Sequence, residues 1–504
     1  MIIFCKMCKR LHIKKEDLTE AIMFYRAPGK AVCADVIPFF EDGEFKLFYL
    51  RDYRDIEAHG EGCPWCLLTT KDLVHYEDKG PVLLRGKEDE QDLYVFTGCC
   101  IKAGEEYVIF YTGHNPHLRA KGLPEQKILR ATSRDLIHWE KDRNFVFEAP
   151  DWLEMHDFRD PFVFFDEEKK KYCMLIAGRL KNEDPVFSKG VTLIAYSDDL
   201  LHWVVDKEPF FAPHAYFTHE CPDLFKMGDW WYLVFSEFTD KIVTTYRMSR
   251  TPYGPWISPK VNNFDGHAFY AAKSVSDGRR RILFGWNCIK LGEKDGAPWQ
   301  WGGTIIPHEI VQEKDGTLSV KCPDEIAKQY GTALPLAEGR TLGNVEREKG
   351  ITSLAEAEKG GDTYSLGGEG KSLALLGDLP ENGRIEMAFT ASDDCGDFGV
   401  YMRADEELNC FYAVKFEPRF NRLALDIQPR EDNTRHTQID VERYCPIKAG
   451  EKNKLMIIFE GSVLEVYVND KVAMSARMFD RKEGKFGIFA HNTNVRFEDI
   501  KLYR

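Results

Sequence analysis

Short runs in which apolar and polar residues alternate, separated by turns rich in Gly, Asp and Asn, extend along most of the chain. Such runs predict β-strands, because successive side chains of a strand point to opposite faces. The three-to-four-residue spacing of apolar positions that marks an amphipathic helix is absent from the repeated part of the chain. The pattern therefore predicts an all-β protein.

A strand–turn–strand pattern recurs five times in the first two-thirds of the chain. Each copy has a short apolar strand, a polar turn and a second strand with an aromatic residue near its start. The copies occupy residues 35–49, 97–111, 160–177, 220–235 and 269–286. A second repeat, Asp-Leu-x-His followed by an aromatic residue, starts at Asp72, Asp135 and Asp199. Five such units predict a five-bladed β-propeller, in which the second repeat fastens a turn and packs its aromatic residue between blades.

The pattern changes after about residue 325. We predict an N-terminal extension over 1–30, the propeller over 31–325, a linker over 326–345 and a C-terminal β-sandwich over 346–504. Within the last region, a hairpin is expected around Asn469-Asp470-Lys471. The sandwich shows no aromatic platform that would bind a sugar, so we expect it to brace the propeller.

The charge of the chain limits the classes of partner that it is expected to bind. The formal net charge is −14 and no long Lys/Arg block occurs, so we expect no nucleic-acid partner. There is no run of 18 apolar residues, and the first residues lack the apolar region of a secretory signal, so we expect no membrane contact and a cytoplasmic location. An acidic balance fits a neutral sugar better than a polyanionic substrate.

The chain contains 14 cysteines. In a cytoplasmic protein they are expected to be reduced and mostly buried. Two CxxC pairs, Cys5/Cys8 and Cys63/Cys66, would together supply the ligands of a zinc site. They lie far apart, and no His pair or third CxxC supports them, so we predict no metal and no other cofactor.

The first residues of the five inner strands are the candidates for chemistry, because these strands begin near the propeller axis and converge on one funnel. These residues are Asp35, Thr97, Asp160, Glu220 and Phe269. Three acids in one funnel suit glycosidic cleavage: one attacks the anomeric carbon or activates water, a second protonates the leaving oxygen and a third stabilises the transition state. Crowding of the acids raises the pKa of at least one of them.

Several motifs around these acids resemble glycoside hydrolase family 32, the group of invertases, inulinases and levanases. Arg159-Asp160-Pro161 resembles the Arg-Asp-Pro motif of that family, and Glu220-Cys221 its Glu-Cys motif. Phe96-Thr97-Gly98 stands where the family has Phe-Ser-Gly, while Phe269-Tyr270-Ala271 and Trp301-Gly302-Gly303 match further signatures. The resemblance covers the propeller and, by position, the sandwich.

The resemblance implies a retaining mechanism with Asp35 as nucleophile, Glu220 as acid/base and Asp160 as stabiliser of the transition state. The substrate would be a fructan or an oligosaccharide with a terminal fructofuranosyl or related furanosyl unit. The residues implied to bind it are Trp65, Phe96, Thr97, Arg159, Cys221 and Tyr270.

The sequence departs from the family pattern at Ala34 and Leu50, which stand in place of an Asn and a Gln that bind sugar hydroxyls. An unpaired buried hydroxyl costs about 1–3 kcal/mol. We therefore expect weak or absent hydrolysis of sucrose and better activity on another furanoside. Arg51 or Asp52 in the following loop would supply replacement contacts.

Two other functions stay open from the sequence. A five-bladed enzyme of the arabinofuranosidase or xylosidase type would use three acids but invert. The carboxyl separation between Asp35 and Glu220 distinguishes these cases, being about 5–5.5 Å for retention and about 6.5–9.5 Å for inversion. The third possibility is a non-catalytic carbohydrate-binding propeller, although a binding site needs no protonated Glu220.

Overall fold

The computed structural model describes residues 23–182, 184–239, 242–337, 339–349, 361–393, 395–429 and 439–504. Strands dominate this part of the chain, so the predicted all-β class is confirmed. It holds two α-helices of four residues each, α1 (Ile56–His59) and α2 (Asp324–Ala327). Four 3-10 turns lie at Pro116–Lys121, Val186–Ser188, Leu291–Glu293 and Pro418–Phe420. The pair Cys5/Cys8 and most of the predicted N-terminal extension lie outside the described residues.

Five antiparallel units form the blades of a propeller, as predicted. Blade 1 contains β1 (Val32–Glu41), β2 (Glu44–Asp52), β3 (Trp65–Thr70) and β4 (Glu77–Leu83). Blade 2 contains β5 (Tyr94–Ala103), β6 (Glu106–His114), β7 (Gln126–Ser133) and β8 (Glu140–Lys141). Blade 3 contains β9 (Leu153–Asp166), β10 (Lys171–Leu180), β11 (Gly190–Ser197) and β12 (Val204–Val205).

The last two blades follow the same order. Blade 4 contains β13 (Thr218–Met227), β14 (Trp230–Phe238) and β15 (Ile242–Ser249). Blade 5 contains β16 (Phe269–Ser276), β17 (Arg281–Lys290), β18 (Trp299–Gln312) and β19 (Leu318–Lys321).

The first strands of the blades pack in a ring around the axis. β1 contacts β5, β5 contacts β9, β9 contacts β13, β13 contacts β16, and β16 contacts β1. The ring is closed where β1 pairs with β18 at Cys33 and Gly303, which merges blades 1 and 5 into one sheet. Such closure removes the exposed sheet edges that an open arrangement would leave between the first and last blades.

The Asp-Leu-x-His repeat fastens a turn in blades 1 to 3, which confirms its predicted structural role. In blade 2, Asp135 Oδ1 accepts hydrogen bonds of 2.9 and 2.8 Å from the backbone N–H groups of Ile137 and His138, and Asp135 Oδ2 lies 2.6 Å from the His138 ring. The same pattern recurs in the other two copies. Trp139 packs edge-on against Phe48 of the neighbouring blade, with ring centroids 5.9 Å apart.

Two sheets form the C-terminal sandwich and enclose one large apolar core, as predicted. The first sheet has the order β22-β23-β34-β25-β30-β31-β32, with β20 paired to β34, and the second has the order β21-β24-β33-β26-β27-β28-β29. The strands are β20 (Ala333–Leu334), β21 (Thr341–Leu342), β22 (Asn344–Lys349), β23 (Asp362–Gly367), β24 (Lys371–Asp378), β25 (Gly383–Ala391), β26 (Asp397–Ala404), β27 (Phe411–Glu417), β28 (Arg422–Gln428), β29 (Val441–Tyr444), β30 (Asn453–Glu460), β31 (Val463–Val468), β32 (Val472–Arg477), β33 (Lys485–His491) and β34 (Val495–Tyr503). β31 and β32 form the predicted hairpin. The expected linker supplies β20 and β21 to these sheets.

Buried polar contacts fix the sandwich to the propeller. Arg443 on β29 donates two hydrogen bonds of 2.6 Å to the side-chain and backbone oxygens of Asn263 in blade 4. Arg477 on β32 donates to the backbone carbonyls of Asn287 and Cys288 on β17, at 2.7 and 3.0 Å. Both arginines are buried, so each guanidinium orients the two domains as well as filling the seam.

Candidate active site

Each inner strand is irregular where it reaches the axis. The pairing register shifts at Asp35 in β1, Thr97 in β5, Asp160 in β9, Cys221 in β13 and Ala271 in β16. Four of these residues have a positive φ, from 20° at Asp35 to 58° at Asp160. A β-bulge bends its strand and redirects a side chain, and positive φ in a non-glycine residue is strained. Five bulges at one level therefore form the wall of the funnel.

The repeat phase identifies three of these five positions and misses two. Asp35, Thr97 and Asp160 are the bulged residues, but none is the first of its strand as predicted, because β1, β5 and β9 begin three to seven residues earlier. In blade 4 the bulged residue is Cys221, so Glu220 comes one position earlier. In blade 5 the bulge lies around Ala271, and the predicted Phe269, which does begin its strand, is fully buried, with its aromatic ring against His308 at the domain seam. Counting from the strand start therefore does not locate the bulge, because the strands extend by different lengths before it.

The structure brings all three predicted acids to one cavity of 290 Å³. Asp35, Asp160 and Glu220 line it from the first strands of blades 1, 3 and 4. Phe96 and Arg159, both predicted to bind substrate, line the same cavity.

Asp35 is held by two donors from neighbouring blades. Trp286 Nε1 donates to Asp35 Oδ1 at 3.0 Å, and the Thr97 hydroxyl donates a short hydrogen bond to Oδ2. The Cys221 sulfur lies 3.9 Å from the same Oδ2 atom. Burial raises the pKa of Asp35, and the charge on Glu220 raises it further, against the two hydrogen bonds that favour the carboxylate. Both carboxylate oxygens are therefore fixed in direction.

Glu220 receives one donor on each oxygen. Arg159 Nη2 donates to Oε1 at 3.1 Å, and the Tyr270 hydroxyl donates to Oε2 at 2.7 Å. Arg159 is anchored in turn by Asp157, whose Oδ1 accepts from Nη1 at 2.7 Å. The predicted substrate residues Arg159 and Tyr270 thus both contact Glu220.

Asp160 is the least solvent-exposed of the acids that line the cavity. Its Oδ2 accepts a 2.9 Å hydrogen bond from the backbone N–H of Cys221, and its own N–H donates to the Thr112 hydroxyl at 2.8 Å. Burial raises the pKa of Asp160 to about 7, with the charges of Glu220 and Asp35 adding to the rise and Arg159 opposing it.

Three predicted binding residues stand behind the cavity wall. Thr97 is fully buried and reaches Asp35, and Cys221 presents its sulfur to the same carboxylate. Trp65 is fully buried as well, and its indole N–H donates to the carbonyl of Phe96 at 3.1 Å. Trp65 therefore supports Phe96 from behind, and it lines neither cavity that contains Glu220.

The expected replacement contacts after β1 do not form. Ala34 and Leu50 are fully buried in an apolar cluster, so neither presents a polar group to the funnel. Arg51 makes a short ion pair with Asp78 and donates to Tyr49, and is buried, which contradicts a role in sugar binding. Adjacent residues of a strand point to opposite faces, so the side chain of Arg51 lies on the same face as Tyr49 and on the face opposite to Leu50.

Polar groups on the opposite side of the cavity were not predicted from the sequence. Gln126, His156 and Asp157 line it from blades 2 and 3, and Trp301 lines it from blade 5. Trp286 also escaped prediction, although it closes the fifth copy of the strand repeat. Trp301 belongs to the Trp301-Gly302-Gly303 motif, but no motif links the other positions to the acids, so only the three-dimensional structure groups them.

One buried group of described residues has donors close enough to hold a metal ion: Asp265, His308 and Glu465, at the seam between the domains. Their atoms already bond one another, since His308 Nε2 lies 3.0 Å from Asp265 Oδ2, and the Ser475 hydroxyl lies 2.8 Å from Asp265 and 2.9 Å from Glu465. The group lines neither cavity that contains Glu220.

The remaining CxxC pair is divided between two apolar clusters. Cys63 and Cys66 are both buried, but each belongs to a different cluster. Burial raises the pKa of Cys66 to about 12. Both cysteines therefore contribute to packing.

Family models match nearly the whole described chain. The N-terminal domain of glycosyl hydrolases family 32 matches residues 36–321, and the C-terminal domain of that family matches residues 352–504. A sucrose-6-phosphate hydrolase of Zymomonas mobilis is 24% identical over 497 residues, covering 92% of this chain and 88% of that protein. A levanbiose-producing levanase of Bacillus subtilis is 23% identical over 505 residues, covering 92% of this chain and 87% of that one.

Solved structures share the two-domain fold. A β-fructofuranosidase of Bombyx mori superposes with a TM-score of 0.66 at 18% identity, covering 96% of this chain and 93% of that chain. Fructan 1-exohydrolase IIa from Cichorium intybus superposes with a TM-score of 0.70 at 16% identity, covering 95% and 96%. At such identities the likeness shows the fold alone.

Among the described residues, no helix has the length and apolar character to cross a membrane. The arabinofuranosidase-type and non-catalytic alternatives are not favoured, because the matched models belong to one hydrolase family and cover both domains. The chain belongs to glycosyl hydrolases family 32, and it is a glycoside hydrolase of the β-fructofuranosidase type.

Proposed function

We propose that this protein hydrolyses terminal β-fructofuranosyl linkages of neutral oligosaccharides by retaining double displacement. The observation that carries the proposal is the convergence of Asp35, Asp160 and Glu220 on one cavity. In this scheme Asp35 attacks the anomeric carbon while Glu220 protonates the leaving oxygen, and water then hydrolyses the fructosyl–Asp35 ester with Glu220 as base.

The hydrogen bonds on Asp35 support its assignment as nucleophile. Thr97 and Trp286 bind one oxygen each and so fix the carboxylate plane before substrate arrives. Burial deprives the carboxylate of solvent, which must otherwise be removed before attack on carbon. Asp160, whose Oδ2 accepts a hydrogen bond from the Cys221 N–H, would accept further hydrogen bonds from sugar hydroxyls. Its negative charge would balance the positive charge of the oxocarbenium-like transition state.

Arg159 is proposed to shift its contacts during the reaction. It binds Glu220 and Asp157 in the structure, at 3.1 and 2.7 Å. Sugar hydroxyls entering beside Asp160 would take over the Nη2 donor. Glu220 Oε1 would then be free to give its proton to the leaving oxygen, while Tyr270 keeps Oε2 in place.

The charges around the cavities favour a neutral substrate over a sugar phosphate. Arg119 pairs with Glu125 at 2.6 Å, and Arg422 pairs with Glu442 at 2.9 Å. A phosphate site usually provides a cation that is free to form charge-assisted hydrogen bonds. Arg119, which lines the acid cavity, and Arg422, which lines the adjoining cleft, are instead occupied by carboxylates.

We retain the prediction that sucrose is a poor substrate. Ala34 and Leu50 offer no hydrogen bond, and Arg51 does not replace them. Polar groups lie instead on the far side of the cavity, at Gln126 and His156. The sugar orientation that satisfies its hydroxyls would therefore differ from one that uses blade 1 amides.

We also propose that the enzyme works in the cytoplasm and that its propeller and sandwich divide near residues 326–345. Ten of the described cysteines are buried thiols, which supports a reducing compartment. β19 ends at Lys321 and the first sandwich strand begins at Ala333, which supports the proposed division.

The test is a substrate panel on the purified protein. It contains sucrose, sucrose 6-phosphate, inulin-type and levan-type oligomers, and aryl arabinofuranosides. We expect the highest kcat/KM on a fructose oligomer, with the β-anomer of fructose appearing first by proton NMR. Preferred cleavage of arabinofuranosides, or release of the inverted anomer, would overturn the proposal. Sucrose as the best substrate would overturn the argument from Ala34 and Leu50.

A further inference from the structure

A second cavity, of 900 Å³, lies between the propeller and the sandwich and opens onto the acid cavity. Glu220, Phe238 and Trp301 line both cavities. The sandwich contributes the residues around Phe420 and Tyr444 to the opposite wall. A molecule held at the three acids therefore has a direct path, past Glu220, to the surface of the second domain.

The walls of this cleft are unusually rich in exposed aromatic side chains. Six Phe, Trp or Tyr residues are exposed in the described part of the chain, and four of them line the cleft. These four are Phe238 (43% exposed), Trp301 (37%), Phe420 (59%) and Tyr444 (37%). Two come from each domain. Exposed apolar patches next to polar groups mark ligand-binding grooves, and aromatic faces pack well on the C–H faces of sugar rings.

The wall on the sandwich side is held in place by buried contacts. Both terminal nitrogens of Arg443, which precedes Tyr444, donate hydrogen bonds of 2.6 Å to oxygens of Asn263. The backbone N–H of Cys445 donates to the carbonyl of Asn421, next to Phe420, at 2.7 Å. The two aromatic residues are thus fixed to each other and to blade 4, so that binding requires little ordering of this wall.

The propeller side is fixed by the sandwich in return. The loop between β17 and β18 carries Asp295, which accepts a 2.9 Å hydrogen bond from the backbone N–H of Phe479 and a short one from the Tyr412 hydroxyl. Trp299 follows this loop and packs edge-on with His267, with ring centroids 5.6 Å apart. The cleft is therefore a surface shared by both domains.

The position of Glu220 decides which part of a substrate enters the cleft. Glu220 is the proposed donor of the proton to the leaving oxygen, so the leaving group lies on its side. We propose that the cleft binds the leaving-group sugars of an oligosaccharide, with Phe420 and Tyr444 contacting units beyond the first. This inference rests on the proposed function and makes the sandwich part of the substrate-binding site. It gives the sandwich a role in addition to the expected bracing of the propeller.

The experiment compares fructose oligomers of two and five units. The double variant F420A/Y444A removes both sandwich rings, and F165A is the matched control, because Phe165 is 43% exposed and lies outside the cleft. We expect the ratio of kcat/KM for the five-unit to the two-unit substrate to fall about 10-fold in the double variant, mainly through KM, which corresponds to about 1.4 kcal/mol. F165A should keep the wild-type ratio.

A binding measurement separates contact with substrate from disturbance of the fold. In the D35N background, calorimetric titration with the five-unit oligomer should give a Kd that rises about 10-fold when F420A/Y444A is added. An unchanged ratio or an unchanged Kd would overturn the inference while leaving the proposed function intact. If no fructoside is hydrolysed at all, the proposed function itself fails.

Discussion

The two domains bury different kinds of residue at their centres. The sandwich closes on one large apolar cluster that spans both sheets, with a smaller cluster on the second sheet, whereas the apolar contacts of the propeller are divided into several clusters between neighbouring blades. The propeller axis instead buries polar side chains, among them Lys273, Asp223 and Thr112. Buried polar groups cost stability unless they are paired, and Lys273 and Asp223 are both paired with other inner strands. The sandwich also buries charged groups, among them Arg403 and Glu465, but they lie outside its apolar cluster.

The difference between the two domains predicts how substitutions in each will affect activity and stability. Substitutions at the propeller axis should change activity more than stability, and some should even stabilise the protein. Substitutions in the sandwich core should lower the free energy of unfolding and leave the chemistry of the folded molecules unchanged. The following predictions test that division, from the largest expected effect to the smallest.

Replacing Asp35 with Asn should lower kcat/KM by at least about 10⁴-fold, because a carboxamide cannot form the ester intermediate. The same change should raise the melting temperature at pH 7. Burial raises the pKa of Asp35 in the folded state, so folding loses stability as the pH rises above the unfolded value near 4, and Asn has no charge to bury. Steady-state kinetics and thermal unfolding at pH 4 and pH 7 provide the measurement. A large loss of melting temperature at pH 7 would contradict the argument.

Replacing Phe398 with Ala should lower the free energy of unfolding by about 3–5 kcal/mol. Phe398 is fully buried in the sandwich and packs against Phe389 and Phe416, with both centroid distances at 5.2 Å. Urea unfolding measures the loss, and V204A on the exposed edge of blade 3 is the control. Activity per folded molecule should be unchanged on a disaccharide. A comparable loss in both variants would mean that the sandwich core does not dominate stability.

Replacing Glu465 with Gln should stabilise the protein at neutral pH by about 1–3 kcal/mol. Glu465 is fully buried at the domain seam, one carboxyl oxygen has no hydrogen-bond partner among the described residues, and burial raises its pKa well above the usual value. The folded state therefore keeps the proton that the unfolded state releases above about pH 4.5, which costs stability as the pH rises.

The test of this seam is urea unfolding at pH 5 and pH 7. The difference between E465Q and wild type should grow between the two pH values, at a rate of up to about 1.4 kcal/mol per pH unit. An equal difference at both values would show that Glu465 is ionised in the folded protein. S475A serves as a control, since it removes the hydroxyl next to Glu465 without removing the acid.

Replacing Asp135 with Ala should cost about 1 kcal/mol, because two backbone N–H groups in an exposed turn lose their acceptor to water. The turn belongs to one blade, so the funnel and the activity should be unaffected. H138A should cost less, since it removes only the ring contact. Urea unfolding of both variants provides the check, and a change in kcat/KM would show that the turn is coupled to the funnel.

Much of this architecture could be predicted from the sequence, because equivalent residues recur at equivalent positions of the repeat. Asp35 and Asp160 stand at equivalent points of two copies, and their convergence required only that the copies close into a ring. At blade 4 the phase is off by one residue, because the bulge falls on Cys221 while the predicted Glu220 precedes it and still lines the cavity. The position of a bulge leaves no mark in a pattern of apolar and polar residues.

Contacts between segments that are distant in the sequence could not be predicted from it. Phe420 lies in the 3-10 turn before β28, Tyr444 ends β29, and Trp301, which lines the same cleft, lies in blade 5. None of the three has a spacing that signals a platform. The prediction for Arg51 failed for a related reason: its charge suggested a sugar contact, but its partner Asp78 lies on β4, two strands away in blade 1. The direction of a side chain on a strand had to be known first.

The order of strands in the first sandwich sheet has a consequence for synthesis of the chain. β34 follows every other strand of this sheet in the sequence, yet it lies inside the sheet, between β23 and β25. A ribosome must therefore finish residues 495–503 before this sheet has its full set of partners, whereas the last propeller strand ends at Lys321. The centre of the first sandwich sheet is thus completed only after its edge strands and the whole propeller have been synthesised.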